Sequence, residues 1–72
     1  MSKVHIVPHN GAWAVRVEGD PFPLRIYRTQ YGAIDFGKKV AQSYFMELVI
    51  HRSNGRFREA WSYGNDPYPP RG

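Results

Sequence analysis

Cysteine is absent from this 72-residue chain. That excludes a disulfide framework and any thiolate-ligated metal site, and it fits a reducing compartment. Long apolar runs are missing too. The longest aliphatic run is Leu48-Val49-Ile50, far short of the roughly 20 residues a membrane-spanning helix needs. After Met1-Ser2-Lys3 the chain enters a strand-like run with no apolar stretch of signal-peptide length. The expectation is a soluble, cytoplasmic protein with no membrane association. Acidic residues are scarce: six Asp and Glu stand against ten Lys and Arg, a net charge of +4. This balance suits nucleic acid or an acidic protein surface as a partner. It is equally compatible with ordinary solubility.

What remains describes one small folded domain. A chain of this length buries only about 60% of its unfolded surface, so the core is small. The 42% hydrophobic content is that of a folded protein rather than a disordered one. The expected division is a domain over residues 1–61 and a Pro- and Tyr-rich tail over 62–72, packed on the domain.

The hydrophobic pattern predicts strands at 4–7, 12–18, 24–28, 47–52 and 56–61. Asn10-Gly11 and Asn54-Gly55 mark two hairpins, because both residues of such a pair tolerate positive φ. Residues 12–18 alternate cleanly, with Trp13, Val15 and Val17 on one side. Thr29 is a good N-cap for a helix over 30–44. That helix has a stripe of Ala33, Gly37, Val40, Ala41 and Tyr44. Gly37 lies on the stripe, which suggests close approach of helix and sheet. The order β-β-β-α-β-β predicts an α+β fold, an antiparallel sheet with one helix packed on one face. Trp13, Val15, Val17, Ile26, Leu48, Ile50 and Phe57 are then expected to meet the helix.

Several segments together carry a resemblance: Val4-His5-Ile6-Val7-Pro8-His9, Gly11-Ala12-Trp13-Ala14-Val15, Glu47-Leu48-Val49-Ile50-His51, Gly55-Arg56 and the ending Ser62-Tyr63-Gly64-Asn65-Asp66-Pro67-Tyr68-Pro69-Pro70-Arg71-Gly72. Together they resemble a family of small bacterial proteins catalogued as a domain of unknown function. The resemblance implies a compact single domain and brings no catalytic residues. Tyr44-Phe45-Met46 and Ala60-Trp61 are more apolar than that family's usual pattern, which implies local repacking or a protein-binding surface.

Four constellations bear on function. The sheet face away from the helix is expected to carry Arg16, Arg25, Tyr27, His51, Arg56 and Arg58. Arginines among aromatics suit phosphate contacts with base stacking, and also suit a merely solvated face whose stems cover apolar neighbours. His5, His9 and His51 lack a carboxylate at ligand spacing, so no metal site or cofactor is expected. No nucleophile elbow, phosphate loop or carboxylate pair is present, which argues against an enzyme. The tail is either a clasp on the sheet edge or a linear proline-rich ligand. The leading reading is a binding module that contacts nucleic acid through Arg16, Arg25, Tyr27, Arg56 and Arg58. The alternative is a protein-interaction or self-association module, with a homodimer among its forms, using Phe22, Phe45, Trp61 and Tyr68.

Overall fold

The computed structural model describes residues 2–63. Five strands and one helix follow in the order β1 (Lys3–His9), β2 (Ala12–Val17), β3 (Arg25–Tyr27), α1 (Gln30–Ser43), β4 (Glu47–His51) and β5 (Phe57–Ser62). They form one sheet in the order β3-β2-β1-β4-β5 with α1 on one face. The fold is α+β, as the sequence predicts, but the sheet is mixed. β1 and β4 are parallel, with Val4 beside Leu48 and Ile6 beside Ile50, and every other pair is antiparallel. The helix causes this. It returns the chain across the sheet, so β4 runs in the direction of β3 and of β1 and pairs with the free side of β1.

Local chemistry accounts for the connections. Asn10 and Gly11 hold φ of 46° and 81°, the conformation that matches a tight hairpin to strand twist. The Thr29 hydroxyl accepts a hydrogen bond from the Gly32 amide at 3.1 Å and caps α1. At the other helix end, the Met46 amide donates to the Ala41 carbonyl, which places Phe45 in the left-handed conformation with φ 55°. The second hairpin is wider than a two-residue turn. Its loop closes through the Gly55 amide on the Arg52 carbonyl, and a register shift sits between Ile50 and His51.

The core is Val4, Ile6, Val15, Ala33, Ala41, Leu48 and Ile50, all buried, with Trp13, Tyr27, Phe36 and Tyr63 packed around it. Gly37 sits where the helix meets the sheet. A Cβ there would lie 2.6 Å from the Ile6 Cδ1, so the close approach suggested by the stripe is real. Three expected core positions differ. Ile26 and Phe57 are 45% and 60% exposed, and Tyr44 is exposed at the helix end. Ile26 pairs with Ala14 on the open face, while its neighbours Arg25 and Tyr27 pair with Val15 and Trp13 on the helix face. Phe57 falls outside the core because it pairs with His51, also on the open face. No described helix is long and apolar enough to cross a membrane.

Candidate functional site

Strand register divides the domain into two ends of different character. Glu47 lies beside Lys3 and Ser62, whereas His9 lies beside Ala12, Trp13 beside Tyr27 and His51 beside Phe57. The β1–β2 turn, the start of α1 and the β4–β5 hairpin therefore share one end. The β2–β3 loop, the end of α1 and the end of β5 share the other.

The first end is basic. Arg28 precedes the helix, and Arg52, Arg56 and Arg58 lie in or beside the β4–β5 hairpin, all four exposed. The connections at this end (residues 10–11, 28–29 and 52–56) contain no carboxylate. The start of α1 is here as well and adds its positive dipole end. Phe57 stands exposed between Arg56 and Arg58. Glu59 is the nearest acid in sequence, and its Oε1 lies 3.4 Å from the Arg58 Nε. Arg28 and Arg56 form no ion pair among the described residues.

Gln30 ties this end together. Its amide nitrogen donates to the His51 carbonyl at 2.8 Å, and its amide oxygen accepts from the Arg58 guanidinium at 3.0 Å. The first helical residue thus bridges the end of β4 and the Arg58 side chain of β5. Arg52 donates through Nε to the Phe57 carbonyl at 3.3 Å. On the open face, His51 Nδ1 lies 3.2 Å from the Gly55 carbonyl. That oxygen can only accept, so a neutral His51 carries its proton on Nδ1 and leaves Nε2, 3.2 Å from His5 Nδ1, as the acceptor between the two rings. Burial, and then the neighbouring His51, lower the His5 pKa below its usual 6.5, with Glu18 opposing. Among the described residues no three His, Cys, Asp or Glu side chains gather in a way that could hold a metal ion.

The five candidates for nucleic-acid contact do not form one face. Arg25 and Tyr27 turn to the helix. The Arg25 guanidinium lies 5.1 Å from the Phe36 ring centre, and the Tyr27 ring lies 5.9 Å from it. Arg16 is on the open face, near the carbonyls of Asp20 and Pro21 at the far end. Arg58 reaches the helix through Gln30, because the register shift places it beside Glu59 rather than alternating with it. Arg56 and Arg58 do share the basic end, together with Arg28 and Arg52, which strand alternation alone does not find. The available signal was local density, with three arginines in His51-Arg52-Ser53-Asn54-Gly55-Arg56-Phe57-Arg58.

The opposite end exposes large apolar side chains beside the charged Lys3, Glu18, Asp20 and Glu47. Phe22 is 76% exposed and Phe45 64%, with Leu24 and Tyr44 also exposed. A groove lined by Val17, Leu24, Phe36, Val40, Tyr44 and Met46, with Asp20 at its side, runs between the helix and the β2–β3 loop. Trp61 lies toward this end on β5. Tyr68 and the rest of the tail over 64–72 lie outside the described residues.

Neither a curated protein nor a solved structure matches the chain. The family model DUF2188, described as an uncharacterized protein conserved in bacteria, matches residues 4–63. The match runs from the first buried residue of β1 to the residue after β5 and takes in the helix and all of the sheet but Lys3; the ending beyond Tyr63 falls outside it. By that match the chain belongs to the DUF2188 family.

Proposed function

We propose that this domain is a binding module, not a catalyst, and that it holds single-stranded nucleic acid at its basic end. Arg28, Arg52, Arg56 and Arg58 contact backbone phosphates, and Phe57 offers a ring for a base to stack on. The observation that carries this reading is that four exposed arginines, an exposed phenylalanine and a helix start share one end of the domain, in connections free of carboxylates. Arg56 and Arg58 stay in the contact set. Arg25 and Tyr27 leave it because they pack on Phe36.

The test is a salt-titrated binding assay with mixed-sequence single-stranded DNA and RNA. Four phosphate contacts give a slope of about −3 in log affinity against log salt, at about 0.7 per phosphate on a single strand. Arg56→Glu combined with Arg52→Glu should abolish binding while leaving the circular dichroism spectrum intact. Absence of binding at low salt, or binding that survives the double reversal, would reject the reading.

A second reading, a protein-interaction module, draws on the large apolar side chains exposed at the opposite end. Phe45 holds a left-handed backbone conformation and still points an aromatic ring outward. A non-glycine residue in that conformation costs about 1 kcal/mol. Neither folding nor packing accounts for the exposed ring, and a partner surface would. Phe22 and Trp61 lie toward the same end.

A further inference from the structure

We propose that a second copy of this chain pairs with the outer edge of β5, antiparallel, about a two-fold axis through Ala60. This goes beyond nucleic-acid binding and stands whether or not the basic end binds it.

The two edges of the sheet are protected unequally. The β3 edge is three residues long and follows Pro21 and Pro23. Short strands and prolines are the usual guards against edge pairing. The β5 edge is six residues long, contains no proline, and pairs with no other strand on its outer side among the described residues. Its bulge lies near its beginning, so residues 59–62 run in regular register.

The direction of its free backbone groups follows from one bond. Tyr63 donates its amide to the Met46 carbonyl, and the register places Tyr63 opposite Met46. Inward bonding alternates along an antiparallel strand. Tyr63, Trp61 and Glu59 therefore direct their amides toward β4. Ala60 and Ser62 direct theirs outward.

Only some registers are self-consistent. Pairing centred on Ala60 exchanges two bonds between Ala60 and its copy at the axis, and sets residues 58–62 of one copy against residues 62–58 of the other. It places Glu59 opposite Trp61 of the second copy, and Trp61 opposite Glu59. These two side chains already have complementary chemistry, since the Trp61 indole nitrogen donates to Glu59 Oε2 at 2.9 Å within one chain. Centring on Glu59 instead would set two carboxylates face to face. Centring on Trp61 would leave the first part of β5 unpaired. On the open face the axis meets only the methyl group of Ala60, which is exposed and obstructs nothing. Trp61, 54% exposed, and the groove beside it against Ile34 and Lys38 would be partly covered.

The experiment is mass against concentration by analytical ultracentrifugation on the full chain, from micromolar to millimolar, with amide hydrogen exchange at both limits. The expected mass rises from 8.3 kDa toward twice that value. The Ala60 and Ser62 amides should slow as concentration rises, while those of Glu59 and Trp61 stay constant. Ala60→Glu puts two like charges at the axis on an exposed site and should hold the mass at the monomer value throughout. Ala60→Pro removes an outward amide, spares the β4 ladder and should do the same. A monomer mass at millimolar concentration overturns the proposal, whatever the protection of those two amides. Unchanged dimerisation of Ala60→Glu also overturns it.

Discussion

His5 and His51 stand 46 positions apart in the chain, yet their rings meet with Nδ1 and Nε2 3.2 Å apart and centroids at 5.4 Å. The parallel pairing of β1 with β4 produces this contact, and the Gly55 carbonyl orders its protons.

That contact makes stability depend on pH. Folding lowers the His5 pKa below 6.5, through burial first and His51 second, with Lys3 adding to the effect and Glu18 and Glu47 opposing it. The folded state therefore binds the proton less readily than the unfolded state. Stability is full above 6.5 and falls as the pH drops from there through the folded pKa. Urea midpoints measured across that window should decline toward acid for the natural protein. They should decline less for His5→Gln, and an equal slope in both would show that His5 is not the group responsible.

Gly37→Ala sets two effects against each other. Alanine favours the helix by about 1 kcal/mol. The new Cβ, however, meets Ile6 Cδ1 at 2.6 Å and Leu48 Cδ1 at 3.2 Å, and both side chains are buried. Overpacking of this kind costs about 1–3 kcal/mol, so a net loss of about 1 kcal/mol is expected. Adding Ile6→Val removes the clashing methyl. Chemical denaturation of the double variant should show a smaller loss than the sum of the two single changes.

Phe45→Gly should raise stability. Glycine adopts the left-handed conformation of residue 45 freely, and the exposed ring it removes contributes little burial. A gain of about 1 kcal/mol in urea unfolding is expected. A loss instead would mean that the ring packs on the domain in solution.

Arg25 and Arg56 should separate stability from binding. Arg25→Ala removes contacts with the Tyr27 and Phe36 rings and should lower stability by about 0.5–1 kcal/mol without altering nucleic-acid affinity. Arg56→Ala should leave the unfolding midpoint unchanged and reduce the salt slope of binding by about 0.7. The opposite pattern would return the binding surface to the sheet face expected from alternation.

The elements were legible in the sequence because each has a local cause. Asn10-Gly11 makes a hairpin wherever it is placed between strands, Thr29 caps whatever helix follows it, and Gly37 on an apolar stripe signals close packing. The family was legible too, in segments that span both hairpins. The direction of β4 was not. No residue in Glu47–His51 distinguishes parallel from antiparallel pairing, and the choice depends on where α1 returns the chain. The arrangement of the candidate residues was half legible. Arginine density in the β4–β5 hairpin is a sequence property, but alternation misplaced Arg25, Tyr27 and Arg58. A three-residue edge strand takes its facing from Trp13 and Val15 across the sheet rather than from its own pattern, and one bulge shifts every later side chain in β5. Short-range chemistry thus determined what the elements are. Only the tertiary structure decided which faces they present, because facing is set by long-range pairing and no local residue encodes it.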